Sequence, residues 1–178
     1  DLWDISAAYL TAELLEEIYC LPPEGMVIPD GMENKVLRLR KALYGLKQAG
    51  RAWNKKLTKW LLDFGFMVSD ADPSLYIIER NINGEGHHIR LNVHVDDAFA
   101  TYTNAKWYSE FKAELTKEFK LSSSADGDVF LGITVERLRD GAIKISQRRY
   151  VDDIVAAFLD KGDKKEANCA LTISCSEK

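Results

Sequence analysis

Residues 74–102, SLYIIERNINGEGHHIRLNVHVDDAFATY, constrain the fold more than any other part of the chain. SLYIIER and IRLNVHV are short runs of strand-forming residues, and the Asn-Gly pair in the NINGEG between them favours a tight hairpin turn. DAFATY follows at once, so Asp96 and Asp97 are expected in the turn of a second hairpin. Consecutive hairpins make an antiparallel sheet. Adjacent carboxylates at a strand end repel each other, so the VDD string costs stability unless it faces water or a cation sits between the two groups.

The rest of the chain alternates short β-rich runs with amphipathic ones. DISAAYL begins as a strand, EEIYCLPPEG reads as a short strand stopped by Pro22, Pro23 and Gly25, and VLRLR suggests a half-exposed strand. Trp53, Leu57, Trp60, Leu61 and Phe64 recur at offsets of three and four, which predicts a helix ending at Gly65. A second helix places Trp107, Phe111, Leu115 and Phe119 on one face. VFLGITVERL and AIKISQ flank RDG as a third hairpin, and RRYVDDIVAAFL reads as a last helix. No linker or internal repeat interrupts residues 1–160, which are expected to form one domain, with 161–178 as a polar tail that frays. Hairpin-joined strands with helices between them predict an α+β fold, an antiparallel sheet with helices packed on one face and the other face open.

At 178 residues, 46% hydrophobic and 29% charged, the chain is of globular composition and long enough to bury a core. It has no apolar run of roughly 18 residues and no signal-peptide pattern at its start, so a soluble chain that is not secreted and does not meet a membrane is expected. Cys20, Cys169 and Cys175 show no CxxC spacing, which suits a reducing compartment and argues against zinc. The net charge of -4 speaks against nucleic acid, yet its distribution does not. Residues 1–34 carry acids and no Lys or Arg, whereas Lys35, Arg38, Arg40, Lys41, Lys47, Arg51, Lys55, Lys56 and Lys59 occupy 35–59 without one Asp or Glu. A solvated basic helix face explains such a run. Interleaving with Tyr44, Trp53 and Trp60 also fits a polyanion groove, which combines cations with stacking surfaces.

Three oxygen-rich side chains can hold two divalent cations. A carboxylate brought to the VDD turn from a neighbouring strand would therefore give it a role, and Asp4 is the candidate. A solvated turn is the alternative reading, since Asp is a common turn residue. Tyr9, Trp53 and Trp60 read as core on their own, His87 and His88 as exposed, and Asp152 with Asp153 as a water-facing copy of the VDD string. GxSxG, Walker-type and HExxH patterns are absent.

DISAAYL, EEIYCLPPEG, ALYGLKQAGRAW, GFMVSDADPSLYI, VHVDD, FLGITVE and ISQRRYVDDI, taken in this order and spacing, resemble the reverse transcriptases of copia-type LTR retrotransposons across about nine tenths of the chain. Such proteins are parts of a Gag-Pol polyprotein in cytoplasmic virus-like particles. The resemblance implies a polymerase palm with partial fingers and the start of a thumb. It also implies two Mg2+ ions, with Mn2+ as a substitute, a primed RNA or DNA template, and deoxynucleoside triphosphates. Asp4, Asp96 and Asp97 are then the metal-binding catalytic residues, and Tyr9 the aromatic gate against ribonucleotides. Gln48, Lys47 and Arg51 fall on the nucleotide side. His94, Leu131 and Gly132 fall at the primer terminus.

The chain departs from the family pattern at His94, where an aromatic usually precedes VDD, and at Gly50, where KQAPR has proline. It starts three residues before Asp4, so fingers strands are expected upstream, and most of the thumb and the RNase H domain elsewhere. A palm-centred fragment with weak polymerase activity or none is the resulting expectation. A decayed or domesticated palm module that binds nucleic acid or protein without catalysis is the other reading.

Overall fold

The architecture is that of a computed structural model that describes residues 1–32, 34–123, 129–158 and 173–175. In chain order the elements are β1 (Leu2–Ile5), α1 (Ala8–Thr11), β2 (Glu13–Cys20), β3 (Leu37–Lys41), α2 (Ala49–Phe64), β4 (Met67–Val68), β5 (Leu75–Ile82) and β6 (Glu85–His94). They continue as β7 (Asp97–Tyr102), α3 (Ala105–Glu118), β8 (Leu121–Ser123), β9 (Val129–Phe130), β10 (Ile133–Arg137), β11 (Ile143–Ser146), α4 (Arg148–Phe158) and β12 (Ile173–Cys175). Helices and antiparallel sheets are mixed, as an α+β chain requires.

The main sheet has six strands in the order β4-β5-β6-β7-β1-β8. Its two faces follow from strict alternation along each strand. Trp3 and Ile5 of β1, Ile89, Leu91 and Val93 of β6, and Ala98 and Ala100 of β7 are buried together. The residues between them, among them Asp4, Asn92, Asp97 and Phe99, lie on the other face and keep solvent access. Helices α2 and α3 supply the core's second layer through Trp53, Leu57 and Leu61, and through Trp107, Tyr108, Phe111 and Leu115. Each such side chain contributes roughly 2 kcal/mol by leaving water.

Local chemistry sets the helix ends. Gly65, at φ 114°, closes α2, with its N–H and that of Phe66 returning to the carbonyls of Leu61 and Leu62. Asn104 opens α3 by accepting the Trp107 N–H at 3.0 Å.

Four expectations need correction. The strands do not all join one sheet: β2-β3 and β12-β11-β10-β9 form separate sheets. VFLGITVERL is not a continuous strand, because Leu131 and Gly132 both adopt positive φ and turn the chain between β9 and β10, with Phe130 facing Ile133. In the 161–178 segment, which otherwise lies outside the described residues together with Cys169, Ile173–Cys175 pairs with β11 as a strand. His87 and His88 belong to β6 and are half-buried, with His87 Nδ1 3.3 Å from the Thr103 hydroxyl. Trp53 and Trp60 do pack with the core, Trp53 buried and Trp60 partly so.

Charges that are segregated in sequence meet in space. Arg38 pairs with Glu17 at 2.9 Å, Lys56 with Glu118 at 2.8 Å, and Lys59 with Asp63. These exposed pairs are worth about 0 to 1 kcal/mol each. Among the described residues Arg40, Lys41, Lys47, Arg51 and Lys55 remain outside such pairs.

Candidate active site

Strand β1 lies between β7 and β8, and its register sets Asp4 directly opposite Asp97. Opposed residues of an antiparallel pair have Cβ atoms about 5 Å apart, and like charges in that position are destabilising. Asp96 occupies the two-residue turn with Val95, flanked by the His94–Asp97 pair. Asp97 is thus the first residue of β7 rather than a turn residue, and its side chain shares the open face with Asp4.

The carboxylates act on one another. Partial burial first, then the charges of Asp96 and Asp4, push the Asp97 carboxyl above its ordinary value, while His94 pulls it down. Tyr44 is held above the usual phenol range by partial burial, then by Asp96, Asp4 and Tyr9. Among the described residues, no group of three or more His, Cys, Asp or Glu side chains is gathered closely enough to hold a metal ion. The donor set is nevertheless of the right kind for Mg2+, carboxylate oxygens from two adjacent strands and the turn between β6 and β7.

Three hydrogen bonds fix the frame that carries these acids. The Asp96 carbonyl accepts the Ile5 N–H at 2.8 Å. The Val95 carbonyl accepts the Trp53 indole N–H at 2.5 Å. On the other side of β1, Ser122 of β8 donates its hydroxyl to Asp4 Oδ1 at 2.9 Å, leaving Oδ2 for another partner. Val95 stands at φ 59°, a conformation that β-branched residues seldom adopt.

The remaining site residues fall into two groups. Tyr9, on the short α1, is half-buried, and its ring centroid lies 4.7 Å from that of Tyr44. With Gly50, Trp53, His94 and Val95 it lines a cavity of about 190 Å³. Gln48, just before α2, is engaged by Glu16 of β2 at 3.2 Å, while Lys47 and Arg51 are exposed beside it. The second group is Leu131 and Gly132, in the turn between β9 and β10. Phe130 beside them meets Phe99 of β7 at 5.7 Å, which brings this hairpin against the carboxylate-bearing face. Asp152 and Asp153 lie exposed on α4, as their helical spacing predicts.

Sequence reasoning named Tyr44 only as a stacking surface within the basic run, not beside the carboxylates, and missed Ser122. Tyr44 had a visible signal, being the aromatic of the ALYGLKQAGRAW string. Ser122 had none, since only strand register brings it to Asp4.

The site so defined is a pair of opposed carboxylates, with a third in the adjoining turn, on the free face of a helix-backed antiparallel sheet. Residues 2–169 match the reverse transcriptase (RNA-dependent DNA polymerase) family, and the chain belongs to it. It is similar to the retrovirus-related Pol polyproteins from transposons RE2 and RE1 of Arabidopsis thaliana, 37% and 35% identical over 86% of this chain and 10% of each relative. It also resembles that from transposon TNT 1-94 of Nicotiana tabacum, 30% identical over 90% of this chain and 12% of the relative. The chain is thus a reverse transcriptase segment of the copia-type kind that spans about a tenth of the length of these polyproteins. No solved structure matches it significantly. Among the described residues no helix is long and apolar enough to cross a membrane.

Proposed function

We propose that the chain is the palm-centred core of an RNA-directed DNA polymerase that joins a primer 3' hydroxyl to a deoxynucleotide. The observation that carries this reading is the register that opposes Asp4 to Asp97, with Asp96 in the adjoining turn, on the open face of a helix-backed sheet. Such mutual repulsion is what a site for divalent cations uses. Asp4, Asp96 and Asp97 would hold two Mg2+ ions, or Mn2+ in their place. Bound there, such a pair activates an attacking hydroxyl and stabilises the leaving oxygen of an in-line phosphoryl displacement.

The chain's own residues supply the rest. The Tyr9 ring, backed by Tyr44, stands beside the turn as a wall against a 2' hydroxyl. Gln48, once released from Glu16, turns toward the nucleotide, and Lys47 and Arg51 offer charge to template or triphosphate. His94 and the Leu131–Gly132 turn flank the position of the primer terminus. A primed RNA or DNA template and deoxynucleoside triphosphates are the partners this reading requires, in a cytoplasmic particle of the element.

Primer extension on an RNA template with Mg2+, comparing the chain with Asp96→Asn, tests the proposal. Incorporation above background by the unaltered chain alone supports it, and equal incorporation above background by both sinks it. A second reading, a palm module that binds nucleic acid without turnover, draws support from the engagement of Gln48 by Glu16 and from the ungathered carboxylates. Salt-dependent binding to a primed template with no incorporation would select it.

A further inference from the structure

We propose that Trp53 is a positioning residue: its indole N–H holds the Val95–Asp96 turn in the strained conformation that aims Asp96 at the cation site. The proposal rests on the polymerase reading above. Trp53 is 2% exposed, and its Nε1 donates to the Val95 carbonyl at 2.5 Å, across 42 residues of sequence. That carbonyl belongs to the peptide linking Val95 to Asp96. Holding it fixes the backbone angles on both sides, and so the direction in which the Asp96 side chain leaves the turn.

The turn needs holding. Val95 sits at φ 59° with a β-branched side chain, so an unrestrained turn would relax, and the charges of Asp96, Asp97 and Asp4 repel one another out of the arrangement. The Ile5 N–H pins the next carbonyl, that of Asp96, at 2.8 Å. Together the two bonds clamp successive carbonyls of the turn from different elements, β1 and α2.

Trp53 is itself immobile. Its ring meets Phe119 edge-on, with centroids 5.4 Å apart and planes at 89°. Core packing at this position asks only for a large apolar ring, and a phenylalanine would serve that need. The indole donor is the feature that packing leaves unexplained. Because Trp53 lies in the second turn of α2, the bond also ties the metal-bearing turn to the segment that carries Gln48 and Arg51. Nucleotide side and cation side then move as one body.

The test uses the full chain with Trp53 replaced by β-(3-benzothienyl)alanine, which keeps the bicyclic shape and lacks the N–H, and with Trp53→Phe as a second variant. The readout is Mg2+ titration followed by the backbone amide resonances of residues 95–97, with Asp96→Asn as reference. Unchanged resonances for residues 79–88, the end of the β5–β6 hairpin outside the Trp53 cavity, establish that each variant is folded. The expected result is a half-saturating Mg2+ concentration raised about tenfold in both Trp53 variants, the scale on which outer-shell partners of metal ligands act. Loss of Mg2+ response in Asp96→Asn must accompany it. If Asp96→Asn loses the response and the Trp53 variants keep the unaltered affinity, Trp53 is packing alone and the proposal falls while the polymerase reading stands. If Asp96→Asn itself titrates unchanged, the polymerase reading fails and this inference goes with it.

Discussion

Strand β6 is bounded by two turns of the same length and opposite character. At its start, Asn83 and Gly84 turn the chain at φ 55° and 90°, with Ile82 facing Glu85. These are the residues that tolerate positive φ in a two-residue hairpin, and the Asn81 side chain accepts the Gly84 N–H at 2.9 Å. At its end, Val95 and Asp96 make the turn, with positive φ confined to Val95, where such turns ordinarily take glycine. The first turn is held by its own residues. The second is held by Trp53 and Ile5, which reach it from elsewhere in the fold. On the proposed function, a turn supported from outside and set next to opposed carboxylates holds its strain for the site rather than for folding.

Substitutions can break this contrast at several levels. The largest effect is expected for Asp96→Asn, which should lower nucleotide incorporation on the order of 10³-fold, about 4 kcal/mol of barrier. Asn83→Ala in the other turn should leave incorporation unchanged and cost about 1 kcal/mol of stability in urea denaturation. Next comes exchange of turn chemistry. Val95→Gly relieves the positive φ but removes a side chain packed on the core, so stability should change by less than about 1 kcal/mol while incorporation falls, whereas Asn83→Val should destabilise by about 1 kcal/mol with no loss of activity. A Val95→Gly chain that keeps full incorporation would show that the conformation of the turn does not matter to the site.

The carboxylate pair gives a smaller and pH-dependent effect. Asp97 has a folded pKa above the unfolded value of 3.8, so its ionised form opposes folding. The cost is fully present above the folded pKa and disappears as pH falls through that value toward 3.8. Asp97→Asn should therefore raise stability at neutral pH by about 0.5 kcal/mol and remove this gain on acidification, read from melting temperatures across pH 4 to 7. Smallest is Gly50→Ala. Its new Cβ would meet Tyr9 Oη at 3.6 Å, an ordinary contact, and the stiffer first turn of α2 should add about 0.5 kcal/mol.

How much of this was legible in sequence differs between the two ends of β6. The Asn-Gly turn, the α2 stripe and its stop at Gly65 follow from local chemistry, and each stands where residue type and period put it. The break at Leu131–Gly132 was hidden from periodicity, because a leucine at positive φ looks like any strand residue. Asp4, Asp96 and Asp97 could be named as a set, but their opposition depends on a register between strands more than 90 residues apart. Nothing local encodes that. The same holds for Ser122 and for the N–H of Trp53, whose spacing in sequence announces only a buried helix face.

The central claim is that Asp4, Asp96 and Asp97 form one cation site. Substoichiometric Mn2+ added to the isotopically labelled chain tests it most directly, through paramagnetic broadening of amide resonances. The account predicts that Asp4 and residues 95–97 broaden together and first, while Asp152 and Asp153, the other VDD string, stay sharp. Broadening at Asp152 and Asp153 with none at Asp4 would contradict it.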